Sequence, residues 1–505
     1  MSSICFLCEA MRKKIVLFIL GVAAICASPL SIHAQTDKFQ EKFTKFREKV
    51  NTDYENFWDE VNKKYADFIR QKWSKFDANP SIQQPKEESV PPIVVSPKDT
   101  MPPLRDTPLP IKEIVEPPLL EEPPKPVAPI REVLMPIAED VVTTVRWGTS
   151  FTVRFSDDQR FTLPSVNNEA IANVWEKMSG KEYNNTIRDC LLLRMERKLN
   201  DWAYLCMLQS LSIELFGDSN EAVVFMANIF SKSGYTTRLA RNNDKLYLLF
   251  ACSHTIYNKG YFLIGSEKFF VFGDEVDNIE VCQAQYPDEK SLSLLVNEVP
   301  QLDFVFSEER VLSSSAYADM NVSVSVNENQ IALCAEYPSF SLGDDFMTRW
   351  AMYANAPMDE KTKSALYPQL NNLVEGLSQL EAVNKLLNWV QTAFVYEYDD
   401  TVWGEDRAFF AEETLFYPYC DCEDRSILLS RLVRDILGLD VILVYYPGHL
   451  AMAVAFTEEV SGDNITVGDT RFVICDPTYI NAPVGHSMPR LETDNIRVIK
   501  LERNT

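Results

Sequence analysis

Hydrophobic positions recur at spacings of three and four from Lys38 to Phe76, at Phe39, Phe43, Phe46, Val50, Tyr54, Phe57, Val61, Tyr65 and Phe68. That period predicts a long amphipathic helix over residues 36–78, with an aromatic stripe on one face and lysine and glutamate on the others. One isolated helix cannot satisfy such a stripe, so it predicts docking, either as self-association or onto an envelope partner. The helical period then stops. Sixteen of the 28 prolines fall in residues 79–136, in units such as "VPPIVVSP", "MPPLRDTPLP" and "EEPPKPVAP". Proline fixes φ and removes a donor, so this stretch predicts an extended polyproline linker that holds the helix away from a globular body.

The body starts near Ile137. "SFTVRF" and "RFTLP" read as strands, helices follow to about Lys232, and "TTRLAR", "KLYLLFA", "YFLIG" and "KFFVFG" are short β-rich runs between turn residues. Val322, Val324 and Val326 alternate as in a hairpin. Helices return from Thr348. Ser378 and Glu381 form a capping box ahead of an apolar face of Leu380, Val383, Leu387, Val390 and Phe394. A last helix ends at Gly438, and the strands "VILVYY", "HLAMAVAF" and "RFVIC" follow. The prediction is an α+β chain with a middle domain at 137–345 and a last domain at 346–505.

Composition narrows the function classes. A chain of 505 residues suggests two or three domains, and 46% hydrophobic residues suffice for real cores. The net charge of -24 argues against nucleic acid and anionic membrane as partners. Arg12, Lys13 and Lys14 precede an apolar run, Ile15 to Ala27, that is too short to span a bilayer. Residues 1–35 therefore read as a signal peptide, with Met11 as the start and cleavage near Ala34 or Gln35. The bulky Ile25 before Cys26 argues against a lipobox. The expectation is an exported protein of the periplasm or cell surface, with no transmembrane span once the signal is removed. Eight cysteines remain, and they read as buried small hydrophobes with one or two bridges among them.

The chemistry concentrates near the end. Cys422 opens a helix, His449 begins the second strand after it, and Asp476 ends the third. A helix N-terminus presents free N–H groups that favour a thiolate and can hold an oxyanion. His449 would take the thiol proton and Asp476 would fix its tautomer, a constellation suited to acyl transfer. Asp421, Glu423 and Asp424 oppose ionisation of the thiol, while Arg425 and Arg407 offset them. Cys420, Cys422, His449 and Cys475 form an alternative metal set, but one intervening residue is short of usual zinc spacing. No metal and no cofactor is assigned.

The run "CDCEDRSILLSRLVRDILGLD…GHLAMAV…VICDPTY" resembles the transglutaminase-like family of papain-type cysteine enzymes, especially bacterial transglutaminase-like cysteine proteinases. The likeness covers residues 377–479. It implies a papain-like core, with Cys422 as nucleophile, His449 as base and Asp476 as orienting acid. Cys420 stands where the family usually has glycine, which allows a bridge from Cys420 to Cys475. In such enzymes an upstream side chain completes the oxyanion hole or cleft, and Gln391 and Trp403 are the candidates. The acidic, aromatic stretch "WGEDRAFFAEETLFYPY" would line the cleft and favour a basic or amine-bearing protein or peptide substrate. Hydrolysis of amide or peptide bonds stands slightly ahead of transamidation, and a non-catalytic papain-fold binding scaffold of the envelope is the alternative.

The middle domain repeats the pattern weakly, as a degenerate copy would. Gly217-Asp218-Ser219 lies against Cys420-Asp421-Cys422, and Ser219, Leu246 and Gly273 stand at the triad positions. His254 and His486 read as ordinary structural or surface histidines.

Overall fold

The described part of the aromatic stripe, from Phe57 on, packs within the same chain. The computed structural model describes residues 56–86, 89–96, 101–116, 123–126, 140–343 and 345–502; the signal segment and the first part of the stripe lie outside them. A helix over 56–70 buries Val61, Tyr65 and Ile69. The Tyr65 ring stacks on Trp175 at 4.8 Å and on Tyr286 at 4.4 Å. Arg70 Nη1 donates to Glu176 at 2.8 Å on the same face. The helix stops at 70, short of the expected Phe76. Ser74–Asp77 instead pairs antiparallel with Asn278–Val281, so the open edge of a sheet satisfies this backbone. Trp73 turns inward under the Arg241 guanidinium, 4.8 Å from the ring centre, and Phe68 is left half exposed.

The proline-rich segment also departs from expectation. Its described parts are extended, but they are docked on sheet edges. Ile93–Val94 pairs in parallel with Tyr479–Ile480, Thr107–Pro108 with Asp463–Asn464, and Glu113–Val115 with Arg497–Ile499. Residues between the prolines supply the donors that proline lacks. Val95 N–H donates to Ile480 O at 2.9 Å, Leu109 N–H to Asn464 O at 2.8 Å and Lys112 N–H to Ile496 O at 2.8 Å. Sheet edges tolerate proline, and here they anchor a proline-rich strap.

Two mixed α+β halves follow, built along the same path. In the first, a hairpin of Val141–Arg146 and Thr149–Arg154 packs on Asn184–Glu196 and Asp201–Phe216, and the latter packs on Asn220–Lys232. The sheet beneath runs in the order Asn278–Val281, Thr237–Asn242, Lys245–Ala251, Glu267–Phe272, Tyr261–Ile264, every pair antiparallel. In the second, a hairpin of Arg310–Ser313 and Asn321–Val324 packs on Glu360–Val374 and Gln379–Ala393, and the latter packs on Cys422–Leu437. Its sheet runs Arg497–Lys500, Val441–Tyr446, His449–Val454, Thr470–Cys475, Asp463–Val467, again antiparallel throughout.

The 310–324 hairpin, expected within the middle domain, belongs with the second half. Trp389 Nε1 donates to Leu312 O at 3.0 Å, and Ser314 Oγ donates to Asn388 Oδ1 at 2.6 Å. Farther along, Phe340–Ser341 pairs antiparallel with Thr255–Ile256 of the first half, so the chain between 310 and 345 contacts both halves. Both sheets are apolar on two faces. One face joins a core shared by the two halves. The outer faces are covered from the N-terminal segment, by Phe76 and Ala78 on the first sheet and by Leu109 and Ile111 on the second.

Candidate active site

Cys422 is the first residue of its helix because Asp421 caps it. Asp421 Oδ1 accepts from the N–H groups of Glu423 at 3.0 Å and Asp424 at 3.5 Å, while Asp424 Oδ2 accepts from Asp421 N–H at 3.2 Å. This reciprocal cap satisfies donors that the first turn would otherwise leave unpaired. Gly438 closes the helix at φ 65°, a left-handed conformation in which its N–H returns to Arg434 O at 3.1 Å. Every residue from Cys422 to Arg434 is buried.

The next two strands make a tight hairpin in which Tyr446 faces His449 across Pro447 and Gly448, the glycine at φ 73°. The turn sets His449 beside the helix start. Ser426 Oγ donates to Leu450 O at 2.9 Å, and the Leu450 N–H donates to the Cys422 sulfur. Asp476 follows the strand Thr470–Cys475, whose register places Cys475 opposite Met452. One carboxylate oxygen, Oδ1, accepts from Thr478 N–H at 2.9 Å and Tyr479 N–H at 3.2 Å. The other lies 3.0 Å from His449 Nε2. His449 Nδ1 is buried and makes no hydrogen bond.

Cys422 and His449 line one cavity of about 250 Å³. Arg349, Trp350, Tyr398, Asp399, Asp406 and Glu423 form much of the rest of its wall. The Arg349 guanidinium is sandwiched against the rings of Phe346 and Trp350, at 3.4 and 4.1 Å. It reaches Asp406 Oδ2 at 3.2 Å and Glu423 Oε1 at 3.7 Å. Burial first, and then the charges of Asp421 and Glu423, push the Cys422 thiol well above its ordinary range, with the Leu450 N–H pulling the other way. The same burial pushes Asp399 up to about 8 and lifts Asp421 and Glu423 well above the usual carboxylate range.

Oxygen atoms of Asp399, Asp406 and Glu423 lie within 4.8 Å of one another, a hard-ligand set of the kind that suits a calcium- or magnesium-like ion. Among the described residues this carboxylate trio, and not the thiols, has the spacing to hold a metal. Arg349 already supplies positive charge to two of the three.

The two oxyanion candidates are placed elsewhere. Gln391 Nε2 donates to the carbonyls of Asp476, Tyr479 and Ala482 at 3.0, 2.8 and 3.0 Å, and its Oε1 accepts from Asn481 N–H at 3.1 Å. It clamps the loop that carries Asp476, with no donor left for an oxyanion. Trp403 packs on Phe409 and Tyr417, with Arg407 4.9 Å over its ring, and it is not part of the cavity wall. Cys420 and Cys475 do not bridge. All eight described cysteines are free and buried. Cys420 Sγ instead accepts from Arg425 Nε at 3.3 Å, and Cys475 donates to Val473 O at 3.6 Å.

Arg425 is a residue whose weight only the structure shows. Nearly fully buried, it donates to Gln391 O at 3.0 Å, Phe394 O at 2.9 Å and Pro477 O at 3.4 Å. It thereby ties the helix that Cys422 opens to the loop after Asp476. The signal was a lone arginine in the apolar run "RSILLSRLV", three residues past Cys422 and so on a neighbouring helical position.

The first half repeats this corner with other side chains. Ser219 caps Asn220–Lys232 as Asp421 caps its helix, so Asn220 is the counterpart of Cys422. Asn220 Oδ1 accepts from Leu246 N–H at 2.8 Å, as Cys422 accepts from Leu450. Asn242 faces Lys245 across a two-residue turn, so Lys245 is the counterpart of His449, and its ammonium lies 3.0 Å from Asp274 Oδ2. The expected alignment on Ser219 and Leu246 is thus off by one residue at each. Gly273 does stand at the Asp476 position, because Phe272 faces Leu248 as Cys475 faces Met452. His254 is buried, 3.1 Å from Ser293 Oγ, and burial pushes it down to about 4. No protein-family model, no curated protein and no solved structure matches this chain.

Proposed function

We propose that the chain is an exported thiol enzyme of the transglutaminase-like, papain-fold type, acting on amide or peptide bonds through Cys422, His449 and Asp476. One observation carries the reading. His449 gives Nε2 to a carboxylate and leaves Nδ1 buried without a hydrogen-bond partner, on the wall of the cavity that also exposes Cys422. A histidine kept only for packing gains nothing from a buried nitrogen without a bond.

In the proposed reaction the Cys422 thiol gives its proton to His449 Nδ1, and the sulfur attacks the amide carbonyl carbon. The imidazolium returns that proton to the departing amine as the C–N bond breaks, leaving a thioester on Cys422. Water, deprotonated by His449, then attacks the thioester and releases the acid; an amine in place of water gives transamidation. Asp476 stabilises the imidazolium in both halves. Asp399, Asp406 and Glu423 favour a basic or amine-bearing substrate. We read the first half as a copy of the second that has lost these groups, supported by the common strand order and by the Leu246–Asn220 bond.

The second reading is a binding scaffold, favoured by the burial that keeps the thiol protonated. Alkylation with iodoacetamide between pH 5 and 9, read residue by residue by mass spectrometry, separates the two. The enzyme reading expects the opened site to alkylate at Cys422 well below pH 8.5, the ordinary thiol value, and expects His449→Ala to abolish this. A Cys422 that reacts no faster than a free thiol, with or without His449, would sink it.

A further inference from the structure

The mouth of the cavity is occupied by the protein's own strap. Pro85, Lys86 and Ser89 form part of the wall that holds Cys422 and His449. On one side of the mouth the segment is pinned to the first half and to the acidic rim. Asn258 N–H donates to Ile82 O at 2.9 Å, Ser339 Oγ to Gln84 Oε1 at 2.5 Å, and Gln84 Nε2 to Asp406 Oδ2 at 2.8 Å. On the other side Val90 N–H donates to the carbonyl of Gly448, the residue before His449, at 2.9 Å. Ile93–Val94 then runs parallel to Tyr479–Ile480, three residues beyond Asp476, and Val95 is buried there. The segment therefore crosses from the Asp406 rim, past Cys422, to the loops that carry the base and the acid.

We propose that residues 82–86 and 89–96 occupy, within the same molecule, the track along which an extended polypeptide substrate lies, and that the enzyme is closed until they are displaced. The proposal rests on the thiol-enzyme reading for what the track serves. On the His449 and Asp476 side the strap makes the contacts an extended peptide makes with an edge, the Val90 and Val95 N–H groups donating to the Gly448 and Ile480 carbonyls, while on the Asp406 side the Gln84 side chain adds to the one main-chain bond. The main-chain bonds ask for an unfolded stretch of backbone, and Gln84 marks where a polar side chain would be read. Lys86 reaches Asp400 at 2.6 Å, but the two are 74% and 53% exposed, so this pair adds little and marks only where a basic side chain would sit. A cavity of about 250 Å³ holds a few residues at most, so a protein substrate enters only where the strap now lies.

The test uses the mature full-length chain and two variants that loosen opposite ends of the crossing. Val90→Pro removes the N–H that reaches Gly448; the double variant Gln84→Ala, Lys86→Glu removes the hold on Asp406 and reverses the charge at Asp400. Melting curves check that each is folded, and the double variant, altered at side chains only, stands in if Val90→Pro is not. We expect iodoacetamide to reach Cys422 at least about tenfold faster in each than in the parent chain, the signature of a shifted closed–open equilibrium. A synthetic peptide of residues 82–96 should return the variant to the slow rate, and a scrambled peptide should not. Rates equal to the parent in the folded variants, or acceleration that the peptide fails to reverse, would overturn the proposal. Adding His449→Ala to an opened variant keeps the two readings apart. If Cys422 is uncovered but indifferent to His449, the strap stands and the enzyme reading falls.

Discussion

The two halves of this protein share a path and differ in what they do with one corner. In both, a hairpin leads to packed helices, a capped helix start meets a two-residue hairpin turn, and a third strand ends beside them. In the first half the corner carries Asn220, Lys245 and Asp274, and the Lys245–Asp274 pair is 58% and 84% exposed. In the second it carries Cys422, His449 and Asp476, and the imidazole and carboxylate side chains are fully buried. An exposed ion pair contributes little and constrains little. A buried imidazole–carboxylate pair has to be fully supported, and the second half supplies that support through Asp421, Gln391 and Arg425. The lesson is that the shared fold provides the meeting point, while burial and a shell of hydrogen bonds turn a meeting point into a site.

The comparison breaks most visibly at the proposed nucleophile. Cys422→Ala should lower turnover of an amide substrate by about 10³-fold or more, whereas Asn220→Ala should leave it unchanged; equal losses in kcat/KM would mean that the two corners do not differ in function. Next comes the shell. Arg425→Met strands the Gln391 and Phe394 carbonyls and should cost about 3 kcal/mol in urea denaturation. Its counterpart by position after the cap is the half-buried Val223, whose truncation to alanine should cost about 1 kcal/mol.

The smallest effect is in pH. Burial pushes Asp399 up to about 8, and Glu412 and Glu413 up to about 7, so between pH 4 and 8 the folded second half holds protons that the unfolded chain has released. The folded state binds more protons there, so stability falls as pH rises through that window, by on the order of 1 kcal/mol per unit for each such group. In the first half Glu289, pushed up to about 7, has the same sign, but His254, pushed down to about 4, has the opposite one and loses stability as pH drops below 6.5. Denaturation midpoints from pH 5.5 to 8.5 should therefore decline, and Asp399→Asn should flatten the decline. A midpoint that rises across this range would show that these acids are not held protonated.

The placement of Cys422, His449 and Asp476 was legible because it depends on local features: a cap before an apolar helix, a tight turn before a strand, and an acid directly after one. The strap was not. Proline content reports backbone preference, and a free polyproline spacer has the same local signature as an extended segment docked on a sheet edge. Gln391 was legible as an inward helical position, but which carbonyls it meets is set by the loop after Asp476, more than eighty residues on. The one-residue slip at Ser219 has a similar origin. Serine and aspartate both cap helices, and the true counterpart of Asp421 is the cap itself, not the residue that resembles the nucleophile in size. The helix over 56–70 ended early because a sheet edge competed for residues 74–77, a non-local effect that hydrophobic period cannot register.

The lacing of the N-terminal segment through the second sheet also sets an order of events during folding. Among the described residues the Glu113–Val115 strand pairs only with Arg497–Lys500, and Lys112 reaches Asn495 across 383 residues of chain. Contacts of that sequence separation close late, after the local hairpins and helices are in place. Until the Arg497–Lys500 strand inserts between Val441–Tyr446 and Glu113–Val115, the strap lacks part of its anchorage and the second sheet keeps an open edge. The Cys422–His449 corner and the segment across its mouth would thus assemble almost together, late in folding.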